Sequence, residues 1–190
     1  TKELVETKNI KALAVCFLHS YINPSHESAV VNLVQNEFPN LYVSSSSDVY
    51  PNMREFERWT TTAINAYTRP MIDQYLAKLE KDIEGLGFKG QLYIMTSSGG
   101  MLSPITARRF PVRLLESGPA AGMLMSAVQG RTLKLPNILS FDLGGTTAKG
   151  ALVRNYKPLK SEQMEVDRVN EARKGSGFPL RIPVLDMIEI

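Results

Sequence analysis

Ser140-Phe141-Asp142-Leu143-Gly144-Gly145-Thr146-Thr147 is the stretch from which the rest of the chain is best read. An apolar run delivers a carboxylate, two glycines follow, then two hydroxyls, and a second apolar run leaves at once. The pattern predicts strands over 138–142 and 147–153 joined by a turn at 143–146. The physics suits a phosphate. Gly144 and Gly145 tolerate φ > 0 and lack Cβ atoms, so backbone N–H groups can approach an anion closely. Thr146 and Thr147 add hydroxyl donors. Asp142 does not attract a phosphate, and its role there is to hold Mg²⁺ or its water shell beside the phosphate oxygens. The same residues equally suit a plain hairpin whose glycines only supply a tight turn. A Walker A loop is excluded, because no Gly-Lys-Ser/Thr is present.

Working outward, residues 12–18 (ALAVCFL) form a continuous apolar run, the signature of a strand buried on both faces. Asn23-Pro24 is a helix-start signal, and Val30, Leu33, Val34 and Phe38 recur at helical spacing until Pro39. A short strand over 41–43 follows, then a serine loop over 44–47. Strand, helix, strand is the unit of a parallel sheet. A helical region covers 52–84, and Pro70 is expected to divide it. A short strand over 91–95 runs into Thr96-Ser97-Ser98-Gly99-Gly100. A small-residue helix is expected over 119–129 with Gly130 as its C-terminal cap. The apolar run over 182–190 reads as a last strand. The class is α/β.

Composition bounds the function. The 190 residues carry 22 basic and 19 acidic side chains, a net +3, with 43% hydrophobic residues. These are ordinary globular values, and the interleaved charges give no nucleic-acid signature. One cysteine, Cys16, rules out an internal disulfide framework. No apolar stretch is long enough for a membrane span and no signal peptide opens the chain, which points to a cytoplasmic protein. The first residue is threonine and the last lies in an apolar run, so a fragment of a larger chain is expected.

The hairpin stretch is similar to the phosphate-binding hairpin of the actin-like ATPase superfamily. With Leu115-Glu116-Ser117-Gly118-Pro119-Ala120-Ala121-Gly122, the chain more closely resembles the hydantoinase A/5-oxoprolinase family. Residues 17–21, 23–27, 95–100 and 175–181 agree with that family in order. The resemblance implies a partial actin-like (ribonuclease-H-like) fold, with 1–130 ending the first lobe and crossing between lobes, and 131–190 starting the second. It implies an ATP-dependent enzyme that opens cyclic amides (hydantoin, 5-oxoproline or another lactam) by phosphoryl activation. Asp142 would be the catalytic, Mg²⁺-associated carboxylate, and Gly144, Gly145, Thr146 and Thr147 the ATP phosphate cradle. A B-type subunit or fused domain would be the partner, in an oligomer. The family carries two such hairpins and this chain only one, so the 190 residues alone are expected to be inactive. Where many relatives place an acid after the second threonine, Lys149 stands here. Rival readings are a ketone carboxylase of the same family, a small-molecule kinase of the same fold, and a non-catalytic scaffold.

Ser117 and Gly118, at the start of the expected helix, are candidates for an anion site formed by free N–H groups, against a reading as tight packing. The Thr96–Gly100 loop ends a strand, where ligand loops of α/β sheets gather. His19 and His26 read as loop and cap residues, and Cys16 as a buried small hydrophobe. Arg54, Glu55, Glu57 and Arg58 read as a solvated or inter-lobe charged face.

Overall fold

The computed structural model describes residues 2–145, 147–170 and 175–189. In chain order the elements begin α1 (Lys2–Lys8), β1 (Ala12–Val15), α2 (Ser25–Glu37), β2 (Tyr42–Ser45), α3 (Ser46–Val49) and α4 (Glu55–Gly85). Next come β3 (Ile94–Met95), β4 (Met101–Leu102), α5 (Pro104–Arg109), a 3₁₀ turn (Pro111–Leu114) and α6 (Ser117–Leu133). The strands β5 (Ile138–Leu143), β6 (Ala148–Arg154), β7 (Lys157–Pro158), β8 (Lys160–Ser161) and β9 (Met164–Val166) follow. The last are β10 (Phe178–Leu180), β11 (Val184–Leu185) and β12 (Met187–Glu189). The fold is mixed α/β. Among the described residues no helix is long and apolar enough to cross a membrane.

The chain divides into two units. Unit one is Thr1–Leu92, Arg108–Val112 and Glu165–Ile182; unit two is Tyr93–Ala107, Arg113–Met164 and Pro183–Ile190.

In unit one β1 and β2 pair in parallel, Ala12 opposite Tyr42 through Val15 opposite Ser45, with α2 as the connection. Val15, Val34, Leu41 and Val43 form the core, and Val30 and Phe38 of the helical repeat pack against it. The apolar run leaves the sheet at Val15 because the Phe17 N–H donates to Glu27 Oε1 (2.8 Å) instead of to a neighbouring strand. Helix α2 starts one residue later than expected, at Ser25, and Asn23 Oδ1 accepts from the Ser25 N–H. Pro70 does not divide α4, which runs unbroken through it. A proline inside a helix costs about 3 kcal/mol, and buried residues on both sides of it, Thr62, Asn65 and Ala66 before and Leu76 after, hold the element together.

In unit two β5 and β6 form the expected hairpin, with β12 on the other edge of β6 and β7 extending it. Antiparallel register puts Ile138, Ala151, Val153 and Met187 on one face, against Ala120, Met123 and Ala127 of α6. The opposite face carries Leu139, Phe141 and Leu143, exposed at 67%, 58% and 72%. Helix α6 extends past its expected ends, and Gly130 is inside it rather than capping it. A Cβ on Gly130 would lie 2.5 Å from Ile138 Cδ1 and 2.9 Å from the Leu135 carbonyl oxygen, so the glycine serves close packing. Lys134, with φ 58°, ends the helix in the left-handed conformation instead. The final apolar run is two short strands, β11 on β8 and β12 on β6, separated at Asp186.

Candidate functional site

The β5–β6 turn is closed by the Gly144 N–H donating to the Thr147 carbonyl (3.0 Å). Neither Gly144 nor Gly145 uses the positive φ open to glycine. Their use is spatial: a Cβ on Gly144 would lie 3.4 Å from the Thr147 carbonyl oxygen, and one on Gly145 would project into open space. The turn therefore presents bare backbone outward. Thr146 lies outside the described residues; Thr147 is half-buried at the end of the turn.

Asp142 pairs in register with Lys149 across the hairpin, so both are on the α6 side of the sheet with Ser140 and Glu189. Ser140 Oγ reaches Ser126 Oγ of α6 (3.0 Å), which fixes that side. The Asp142 side chain is exposed and makes no hydrogen bond or ion pair among the described residues. Lys149 does not pair with it. Its ammonium bonds to Glu116 Oε2 and lies 3.9 Å from Glu189 Oε1, with the lysine side chain only 15% exposed.

Glu116 stands at the N-terminus of α6 with φ 64°, an unfavourable conformation for a residue with a Cβ. Its carboxylate makes no cap hydrogen bond and goes to β6 instead. Helix α6 begins at Ser117, two residues earlier than expected, so Ser117 and Gly118 are its first turn. Pro119 has no N–H, and the Ala120 N–H reaches the Glu116 carbonyl (3.2 Å). The N–H groups of Ser117 and Gly118 have no acceptor among the described residues. The Glu116–Lys149 pair thus joins the two sequence-predicted groups, hairpin and helix start, within unit two.

Ser97 was missed as a positioning residue. It is fully buried. Its Oγ sits on the carbonyls of Arg113 (2.8 Å) and Leu115, its N–H also donates to Arg113, and its carbonyl accepts from the Leu185 N–H. The Thr96–Gly100 loop is the tip of the β3–β4 hairpin. Gly99, at φ 81°, closes it tightly against Leu124 of α6. What Ser97 holds is the segment that delivers Glu116.

A second constellation occupies the carboxyl ends of β1 and β2 in unit one. Arg58, read from the sequence as part of a solvated charged face, is completely buried. Its guanidinium donates to the carbonyls of Phe17 (2.9 Å), Leu18 (2.7 Å), Met53 (3.2 Å) and Asn52, and to Ser46 Oγ (3.2 Å). Ser46 in turn donates to Glu27 Oε1 (2.6 Å), and the Ser47 N–H donates to Glu27 Oε2 (2.8 Å). Burial pushes the Glu27 carboxyl upward, but the hydrogen bonds from Ser46, Ser47 and Phe17 outweigh it, so Glu27 titrates below the ordinary glutamate range. The network ties together residues 17–20, 27, 46–47 and 52–53. The signal for it was present: Arg58, Thr61, Thr62 and Asn65 share one helical face. Cys16 nearby is half-buried, and burial pushes its thiol up to about 11, so it is not a nucleophile at neutral pH.

A metal bound wholly by protein would need several ligands together. Among the described residues no group of three or more histidine, cysteine or carboxylate side chains is placed to form one. A Mg²⁺ held by one carboxylate, waters and nucleotide phosphates requires only the first of these, and the exposed, unpartnered Asp142 beside the open Gly145 turn fits that donor set.

Comparison with known proteins is decisive for the family. The hydantoinase/oxoprolinase model matches residues 58–190, and the model of that family's N-terminal region matches residues 2–38. The chain belongs to the hydantoinase/oxoprolinase family. An uncharacterized protein of Methanocaldococcus jannaschii is 38% identical over 191 residues, which covers 99% of this chain and 28% of that relative. The caprolactamase subunit alpha of Pseudomonas jessenii is 30% identical over 140 residues, covering 74% of this chain and 20% of the relative. The nucleotide-free structure of acetone carboxylase, an ATP-dependent enzyme, superposes with a TM-score of 0.80 at 25% identity, over 100% of this chain and 26% of that one. The chain therefore spans between 20% and 28% of the length of these proteins.

Proposed function

We propose that this chain is the central part of an ATP-dependent enzyme that opens a cyclic amide, on a partial actin-like fold. Residues 1–130 would close the first lobe and cross to the second, which 131–190 would begin. The observation that carries the reading is Asp142: an exposed carboxylate with no partner among the described residues, beside a bare Gly-Gly turn, within the stretch that matches the family.

A lactam is a poor electrophile and its amide nitrogen a poor leaving group. Transfer of a phosphoryl group to the carbonyl oxygen, which MgATP supplies, makes the carbon open to attack by water. The protein's part is positioning and charge neutralisation. Gly144 and Gly145 would bring backbone N–H groups to the phosphate oxygens, with the hydroxyls of Thr146 and Thr147 as further donors. Asp142 would hold the Mg²⁺ through its carboxylate or a bound water. Ser117 and Gly118 would offer the two unoccupied N–H groups at the positive end of α6. The setting is cytoplasmic and oligomeric, with a B-type subunit or fused domain as partner; the caprolactamase relative is likewise named as a subunit.

Ketone carboxylation is the second reading, favoured by the likeness to acetone carboxylase. ADP release by the full-length protein with its partner separates the two. Stimulation by hydantoin, 5-oxoproline or caprolactam supports ring opening, and stimulation by acetone with bicarbonate alone replaces it with carboxylation. Asp142→Ala is expected to lower turnover at least about a hundredfold while the melting temperature stays within a few degrees. Unchanged turnover in that variant would remove Asp142 from the site.

A further inference from the structure

The hairpin side that faces α6 is crowded with acid. Asp142 and Glu189 lie on it, Glu116 reaches it from the start of α6, and the register places Lys149 among them. Asp142 has no partner among the described residues, while the Lys149 ammonium is drawn to Glu116, at the end of α6 where the N–H groups of Ser117 and Gly118 have no acceptor among the described residues. An unneutralised carboxylate there would oppose the positive end of the helix and repel an incoming polyphosphate.

We infer that Lys149 is a positioning residue for the nucleotide, acting through Glu116: it draws the Glu116 carboxylate to β6 and cancels its charge, keeping the α6 N-terminus open to phosphate. The inference rests on the nucleotide reading above. Three features of the geometry support it. Lys149 is mostly buried and held between Glu116 and Glu189, which is a fixed position rather than a freely moving surface lysine. Glu116 does not cap the helix it starts, so its side chain has no local task there. The segment before it is tied down by Ser97, so Glu116 is delivered to this place by buried contacts of its own.

A simple staple between strand and helix predicts something different from charge cancellation, and binding of MgATP by titration calorimetry tells them apart. The full-length protein is used, with melting temperature as the check on folding. Lys149→Met keeps the apolar stem and removes the charge. It is expected to weaken MgATP at least about tenfold, whereas Lys149→Arg stays within about threefold. Glu116→Gln alone leaves binding unchanged or tighter, and Glu116→Gln combined with Lys149→Met returns affinity to within about threefold of the parent. If Glu116→Gln weakens binding as much as Lys149→Met, or the double variant is not restored, the pair is only a staple and the inference is overturned. If Lys149→Met leaves affinity intact while Asp142→Ala abolishes it, the inference is overturned and the nucleotide reading stands. If the parent protein itself binds no MgATP, the nucleotide reading is lost and the inference with it.

Discussion

Helix α4 of unit one buries Arg58, Thr61, Thr62 and Asn65, whereas helix α6 of unit two buries Ala120, Met123, Ala127 and Gly130. Both helices lie against strands, but with opposite chemistry. In unit one three of these buried side chains reach backbone outside their own helix: Arg58 at residues 17–18 and 52–53, Asn65 at Arg109 and Val112, Thr61 at Arg181, while Thr62 bonds back to the Arg58 carbonyl. In unit two small side chains bring helix and hairpin close, and the polar links between them are the Lys149–Glu116 ion pair and the Ser126–Ser140 hydrogen bond. A buried polar face specifies where loops go; a small apolar face specifies how near two elements approach. The two should respond differently to substitution.

Arg58→Ala carries the largest expected effect. It takes the guanidinium donor from the carbonyls of Leu18, Asn52 and Met53, leaves that of Phe17 with Ser20 Oγ, and removes a hydrogen bond to Ser46. Deleting one member of a buried charged network costs about 3–5 kcal/mol, to be read from urea unfolding. Arg58→Lys keeps the charge but loses the planar fork, so it recovers less than half of the loss. A cost below about 1 kcal/mol for Arg58→Ala would mean that the loops hold themselves, and the contrast between the units would collapse.

The apolar helix makes a sharper prediction because it contains its own control. Gly130→Ala drives a Cβ into Ile138 and the Leu135 carbonyl and should destabilise by about 1–3 kcal/mol, the usual cost of overpacking. Gly122→Ala, one helix position class away, meets nothing within 4 Å. There the gain in helix propensity should stabilise by about 0.5–1 kcal/mol. Thermal melts of both variants test the sign as well as the size. Equal signs would show that α6 does not approach the hairpin as closely as Gly130 indicates.

The sequence made the class legible because its strongest signals are local. The apolar run at 12–15 and the Asp-Leu-Gly-Gly turn each determine an element within a few residues, and Asp142 and the turn glycines fall where they were read. What was not legible depends on partners distant in the chain. Arg58 sits in a charged stretch; the helical face it shares with Thr61, Thr62 and Asn65 hints at the interior, but what that face holds, loops some 40 residues away, is not local. Gly130 looks like a cap until Ile138 is placed against it. Glu116 and Lys149 are 33 residues apart, and nothing in either neighbourhood announces the pair. The hydrophobicity of β5 signalled a strand but not which face is covered: Ile138 packs on α6, while Leu139, Phe141 and Leu143 are exposed.

The least effect, and the most specific to the polar unit, concerns pH. Glu27 is held below the ordinary glutamate range because hydrogen bonds from Ser46, Ser47 and Phe17 exceed the opposing effect of its burial. A carboxyl depressed in the folded state contributes stability that is fully present above its unfolded pKa and is lost as pH falls through its folded one. Melting temperature should therefore decline on acidification below the ordinary carboxylate range. Asp73 shares that decline, since its hydrogen bond from Arg108 lowers it as well. Glu27→Gln removes only the Glu27 portion: the variant is less stable at neutral pH, and its acid slope is shallower than the parent's. Met123→Ala, in the apolar helix, lowers stability by about 2–5 kcal/mol at every pH and leaves the slope unchanged. A parent slope retained in Glu27→Gln would assign the acid sensitivity to Asp73 and Glu57, which is also held low by Arg54 and Arg181, and the polar network around Arg58 would then owe nothing to the Glu27 charge.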